Sequence, residues 1–158
     1  MSKNVLIVYY SHSGNTGKLA KLIKEATGGA ICELLPEKAY PGDYSTVVEQ
    51  AKKEIQAGFR PVLKTEVKDL SSYDTVFVGT PNWWSTIAPP IATFLENYNL
   101  TGKSVVPFCT HGGGGSGNIE DTVKTFCPDS RVLSLLSVYG NAAKASEVEA
   151  WLKNIGVN

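Results

Sequence analysis

A chain of 158 residues with 42% hydrophobic and 19% charged content carries enough apolar material for one sizeable core and is too hydrophobic to stay disordered. Its 15 Lys+Arg balance 15 Asp+Glu, so no net charge draws it toward nucleic acid or an anionic membrane surface. No apolar run approaches the ~20 residues of a membrane-spanning helix. The first strand begins almost at once, which leaves no room for a secretory signal and makes the cytoplasm the expected address. The cysteines, Cys32, Cys109 and Cys127, are odd in number and contain no C-x-x-C, so neither a disulfide framework nor a metal site is expected.

In chain order, Asn4 to Tyr10 is a continuous β-branched run, as expected of a parallel strand buried on both faces. Leu19, Ala20, Ile23 and Ala26 then recur at helical spacing. Gly28-Gly29 stops that helix, and Ala30 to Leu35 reads as a second strand ended by Pro36. Tyr44, Val47, Val48, Ala51 and Ile55 trace one face of a second helix. Gly58 to Tyr73 is polar and irregular, a surface connection. Thr75 to Gly79 is a third strand, and Pro89-Pro90 opens a helix whose apolar side is Ile91, Phe94, Leu95 and Tyr98. Ser104 to Cys109 is the fourth strand. Ile119, Val123 and Phe126 mark a helix, and Arg131 to Val138 is the fifth strand. Ser146 to Glu149 reads as a capping box for a last helix that buries Val148, Trp151, Leu152 and Ile155. Strands alternating with helices, with neither repeats nor linker, predict a single α/β domain over 1–158 with a doubly wound parallel sheet. Ligands of such sheets sit beyond the C-terminal strand ends, where strand order reverses.

Three unusual loops follow strands. Ser11-His12-Ser13-Gly14-Asn15-Thr16 offers hydroxyls, an amide and backbone N–H groups at a helix N-terminus, where an anion is favoured, without one Lys or Arg. Such a cradle suits the monoester of a held cofactor better than a triphosphate that must be cleaved. Thr80-Pro81-Asn82-Trp83-Trp84-Ser85 carries two adjacent tryptophans, which fit a planar heterocycle or pack on the following helix. Thr110-His111 leads into Gly112 to Gly117, glycine at every position but Ser116. That run permits close approach of backbone to a ligand, or is a flexible surface loop.

The hexad Ser11 to Thr16 resembles the phosphate-binding loop of flavodoxins, Ser/Thr-x-Thr/Ser-Gly-Asn-Thr directly after the first strand. The resemblance covers essentially the whole chain. It implies a flavodoxin-like five-stranded sheet of order 2-1-3-4-5 in a three-layer α/β/α sandwich, with FMN as cofactor. Ser11, His12, Ser13, Gly14, Asn15 and Thr16 would then hold the FMN phosphate. Thr80, Pro81, Asn82, Trp83 and Trp84 would line one side of the flavin ring, with Thr110, His111, Gly112 and Gly113 on the other. Thr16→Asp is expected to cripple FMN binding with little loss of folding. His12 is expected to serve through its N–H with its side chain pointing outward. His111 either bonds the flavin or a substrate, or is a loop histidine bonded to backbone.

Flavodoxins that act as low-potential carriers are strongly acidic around the ring. Here Thr80 to Pro90 and Thr110 to Asn118 contain no Asp or Glu. The leading expectation is an FMN-binding flavodoxin acting in electron transfer with redox partner proteins. The alternative is an FMN-dependent oxidoreductase that reduces quinones or similar small-molecule acceptors with NAD(P)H. A non-catalytic binding module on the same fold is a third. A P-loop is excluded by spacing, and a low-molecular-weight phosphatase by the absence of Cys and Arg from the first loop. A receiver domain is excluded because Tyr9-Tyr10 stands where its acidic residues would be.

Overall fold

The computed structural model describes residues 4–157. Its elements are β1 Val5–Tyr9, α1 Asn15–Thr27, β2 Ala30–Glu33, α2 Tyr44–Ala57, β3 Thr75–Pro81, α3 Pro89–Asn97, β4 Ser104–His111, α4 Ile119–Phe126, β5 Arg131–Val132, β6 Leu136–Tyr139 and α5 Ala145–Ile155. All pairings among these strands are parallel, in the order β2-β1-β3-β4-β5 with β6 also on β4. The predicted order is therefore observed, and the reversal falls between β1 and β3.

The sheet is buried on both faces because consecutive residues in the middle of its central strands are apolar. On one face Ile7, Phe77, Val106 and Phe108 pack against Leu19 and Ile23 of α1 and Val148, Trp151 and Leu152 of α5. On the other, Leu6, Val8, Val76, Val78 and Val105 meet Ile91, Phe94 and Leu95 of α3 and Ile119 and Val123 of α4. Phe77, Phe94 and Phe108 are fully buried, so cutting any one to Ala would cost roughly 3–5 kcal/mol. Gly79 lies opposite Phe108 in the register, and a Cβ there would sit 2.2 Å from its ring. That close approach is why position 79 of β3 is a glycine.

Three expectations need correction. The fifth strand is broken: Val105 pairs with Val132 and Phe108 with Leu136, so two residues of β4 face three across the gap. Leu133 N–H bonds the Val105 carbonyl, so Val105 and, two residues on, Pro107 face this neighbour. Pro107 has no N–H to give, and the partner bulges beside it. The capping box is not formed. The last helix starts at Ala145 with Lys144 as N-cap, which puts Ser146 inside the first turn, with no side-chain cap. The apolar face of α2 is only partly buried: Val47 and Ala51 are buried, while Tyr44 is 80% exposed. The irregular connection Gly58 to Tyr73 pairs with the segment that follows β2. Lys64 N–H bonds the Leu35 carbonyl at 2.7 Å and Glu37 N–H bonds the Val62 carbonyl at 2.8 Å, with an antiparallel bridge between Pro36 and Leu63. It covers the edge beyond β2, where unpaired backbone would otherwise face solvent.

Candidate functional site

The three loops converge at the C-terminal end of the sheet around a cleft of about 450 Å³, within the range of small-molecule sites. His12, Ser13 and Asn15 from the first loop, Pro81 to Trp84 from the second, and Thr110 to Gly112 from the third all line it. Tyr44, Val47, Val48 and Ala51 of α2, and Gly140, complete the wall. None of these fifteen lining residues is Asp, Glu, Lys or Arg. Ser11, Gly14, Thr16, Thr80 and Gly113 do not line the cleft.

The first loop is shaped by its own atoms. Ser11 Oγ accepts hydrogen bonds from the N–H groups of Gly14 and Gly17, each at 3.1 Å. Gly14 adopts φ 95, a left-handed conformation that glycine takes without penalty. The chain thereby turns sharply into α1. No described hydrogen bond occupies the N–H groups of Ser13, Asn15 or Thr16. With the helix dipole behind them, they form an anion cradle.

Thr16 differs from its neighbours. It is 1% exposed, and its hydroxyl meets that of Thr110 at 2.7 Å. Thr16→Asp would therefore force a carboxylate into a buried site, and the expectation that it spares folding does not survive. His12 does not point outward either. Its Nε2 donates to the Pro41 carbonyl at 2.7 Å, tying the loop to the segment that enters α2. Asp43 caps α2 there, its carboxyl held below the usual range by the Thr46 hydroxyl and N–H and by Ser45.

The two tryptophans diverge: Trp83 packs against the core cluster that includes α3, and Trp84 turns away from it. Trp83 joins an aromatic cluster with Tyr40, Tyr10 and His12, at centroid distances of 5.1, 5.6 and 5.9 Å and steep interplanar angles. Such edge-to-face contacts each add about 0.5–1.5 kcal/mol beyond burial. Burial, with Glu54 and Glu33 nearby, raises the Tyr10 hydroxyl well above its ordinary pKa. Burial and a hydrogen bond to Glu54 do the same for Tyr40, so both rings stay neutral. Trp84 swings onto α2: its indole N–H bonds the Val48 carbonyl at 3.0 Å and Lys52 Nζ lies 5.3 Å from the ring centroid. Trp84 and Ser85 both have positive φ, 56 and 66, in a tight turn closed by two bonds between Trp83 and Thr86. For two non-glycine residues this is strained backbone, of a kind that persists only where the surroundings hold it.

Thr80 is fully buried and structural: its hydroxyl accepts from Ala88 N–H and donates to the Pro81 carbonyl. Asn82 binds the third loop twice, through its N–H to the Thr110 carbonyl and through Nδ2 to the Gly115 carbonyl. Asn118 N–H closes the other end on the Ser85 carbonyl. Within the glycine run the positions differ. Gly117, at φ 53, would place a Cβ 2.7 Å from Ser85, so packing demands glycine. At Gly112 φ is ordinary and a Cβ would meet nothing within 4 Å except open cleft. His111 accepts at Nδ1 from Gly113 N–H at 3.0 Å, which leaves the proton of the neutral ring on Nε2. Its ring stacks on Tyr139, centroids 5.6 Å apart at 8°.

Sequence reasoning missed the contribution of α2 and of Gly140. The apolar spacing of α2 was visible, but the same spacing serves a core face and a cleft wall.

An α/β/α domain with strand order 2-1-3-4-5 and a polar loop at the β1–β3 reversal has the flavodoxin-like architecture. The chain belongs to the flavodoxin family, whose model matches residues 4–155. A candidate flavoprotein from Bacteroides eggerthii is similar, with TM-score 0.88 and 30% identity, covering 99% of this chain and 100% of that one. A flavoprotein of Lactobacillus acidophilus solved in complex with FMN gives 0.73 at 27% identity, covering 95% and 99%. An NAD(P)H dehydrogenase (quinone) of Geobacter sulfurreducens is 27% identical over 135 residues, 78% of this chain and 64% of that protein. Across the first curated relatives the chain spans only 46% to 64% of their length. Among the described residues, no helix is long and apolar enough to cross a membrane and no cluster could hold a metal ion.

Proposed function

We propose that the cleft binds FMN and that the protein passes electrons from NAD(P)H to a small planar acceptor of the quinone class. The observation that carries this reading is the cleft lining, aromatic and apolar side chains, glycines and uncharged polar groups, with no Asp, Glu, Lys or Arg. A carboxylate rim would favour docking of a basic protein partner, and the cleft has none.

The residues fit the cofactor. Unpaired N–H groups at Ser13, Asn15 and Thr16, with the hydroxyl of Ser13 and the amide of Asn15, suit a phosphate monoester. Gly112 keeps open the space a side chain would fill, which lets backbone approach a flat ring. When bound, FMN supplies the redox chemistry, taking electrons from one partner and delivering them to another. Trp83, fixed by its aromatic neighbours, and Trp84, fixed on α2, wall the ring site and exclude water. The Nε2–H of His111 can donate to a carbonyl oxygen, because Gly113 holds the other ring nitrogen as an acceptor. With no Asp or Glu in its lining, the site would oppose negative charge on a bound ring less than an acidic site does, which would raise the potential of the bound cofactor.

A second reading, an electron carrier serving protein partners, draws on the mouth of the cleft. Tyr44 at 80%, Tyr139 at 65% and Trp84 at 49% exposure offer an aromatic contact face. Anaerobic titration and steady-state assays separate the two. NAD(P)H oxidation that depends on FMN and on a soluble quinone supports the first. No such turnover, with chemically reduced protein still passing electrons to a one-electron protein acceptor, supports the second. Failure to bind FMN in the spectrum overturns both.

A further inference from the structure

We infer that the α2 side of the cleft is the seat of the electron acceptor, a slot for a flat, uncharged ring between Tyr44 and Trp84, and that Tyr44 determines which acceptors fit it. The inference rests on the reading that the cleft binds FMN and delivers electrons to an acceptor of the quinone class. The groups that suit the cofactor come from the loops after β1, β3 and β4, whereas Tyr44, Val47, Val48 and Ala51 come from α2. Val47 and Ala51 are buried and give this side an apolar backing. Tyr44 lines the cleft and still leaves 80% of its surface exposed. With Trp84, these residues offer two aromatic rings, aliphatic surface and no charge, which matches an uncharged ring and pairs with no ion.

Separate devices hold the two walls. The Trp84 indole N–H bonds the Val48 carbonyl at 3.0 Å, and Val48 stands one turn from Tyr44 on the same face of α2. The turn that aims Trp84 at α2 is strained, with φ 56 at Trp84 and 66 at Ser85. The third loop braces it, because the Ser85 carbonyl takes the Asn118 N–H at 2.7 Å. Strain maintained in this way concentrates at ligand sites. On the other wall, Tyr44 opens α2 directly after its N-cap Asp43, and the His12 ring bonds the carbonyl of Pro41, three residues earlier, at 2.7 Å. His12 belongs to the first loop, so the entry to α2 is tied to the cradle while Trp84 is tied to the ring-side loops. The slot is thus set by the same loops that form the cofactor site. A tyrosine ring gives a flat acceptor a large contact area at little side-chain entropy cost.

Duroquinone is the probe, since its ring carbons are all substituted and it does not add to the free cysteines. Equilibrium dialysis against the oxidised, FMN-saturated protein gives its Kd, and NAD(P)H oxidation gives its KM and kcat. Both are measured in the wild type, Tyr44→Ala, Tyr44→Phe and Trp84→Leu, with FMN affinity by fluorescence quenching, cytochrome c reduction and a thermal melt for each. The wild type must bind FMN and turn over duroquinone. If it does not, the functional reading falls and this inference with it, before any variant is considered. Tyr44→Ala is expected to raise the Kd and KM for duroquinone about tenfold, with kcat and FMN affinity within about twofold. Tyr44→Phe, which keeps the ring, stays within about threefold of the wild type. Trp84→Leu, at saturating FMN, also weakens duroquinone about tenfold. Unchanged duroquinone binding in Tyr44→Ala or in Trp84→Leu, with wild-type turnover intact, overturns the inference alone. Equal weakening of FMN and duroquinone by Tyr44→Ala would make Tyr44 a wall of the flavin site and overturns it too. So does a loss of cytochrome c reduction with duroquinone unaffected, which would make the aromatic mouth a protein-docking face. Tyr44 is exposed, so its variants fold and decide the matter if Trp84→Leu does not.

Discussion

The cradle of residues 11–17 is shaped from within, by Ser11 Oγ receiving two N–H groups three and six residues further on. The loops after β3 and β4 are shaped from outside. Asn82 reaches Gly115, Asn118 reaches Ser85, and Trp84 reaches Val48, 36 residues away. A local turn needs only its own letters to form. Long-range ties must repay more chain entropy, so the ring-side loops hold their shape only while the surrounding fold is intact. The difference teaches where each region is vulnerable: the cradle in its chemistry, the ring side in its support.

The largest effect expected from this contrast is at Ser13, which is exposed and makes no described bond to the protein. Ser13→Asp sets a carboxylate against the bound phosphate, and FMN affinity should fall roughly a hundredfold or more. Riboflavin affinity and the thermal midpoint should stay unchanged. Comparable weakening of both flavins would show that the cradle is not where the phosphate sits.

Gly117→Ala strikes the ring side through its support. A side chain there is both at positive φ and 2.7 Å from Ser85, so urea unfolding should report a loss of about 1–3 kcal/mol. Flavin binding would weaken as a consequence. Gly112→Leu sharpens the comparison from the other direction. Its Cβ meets nothing in the protein, so stability should hold while FMN and riboflavin both bind on the order of tenfold less tightly. If Gly112→Leu destabilised the fold as much as Gly117→Ala, the two ends of the glycine run would not differ as argued. The smallest effect is that of Trp84→Phe, which removes the indole N–H given to Val48 and should cost about 1 kcal/mol. No change in stability would mean that ring packing alone holds Trp84 on α2.

Much of the molecule was legible in advance because its signals are local. The apolar run of β1, the helical spacing of α1 and the turn residues between them are neighbours in sequence, and the structure keeps them as read. The failures are equally physical. Arg131 to Val138 has the letters of one strand, but a proline on the neighbouring strand interrupts it. Ser146 has the spacing of a cap, yet the helix starts one residue before it. Gly58 to Tyr73 has no periodicity, and it still pairs with the segment after β2 through backbone groups that nearly every residue carries.

The sequence by itself determined the parallel α/β domain, the strand order once the first loop was recognised, and the sharp polar turn that opens α1. These depend on hydrophobic periodicity and on the special conformations of a few turn residues. Only the tertiary structure decided that α2 walls the cleft, that Trp83 and Trp84 part company, and that Thr16 turns its hydroxyl to Thr110. Those outcomes rest on which distant groups meet, and a buried polar group takes the partner that the packing around it supplies.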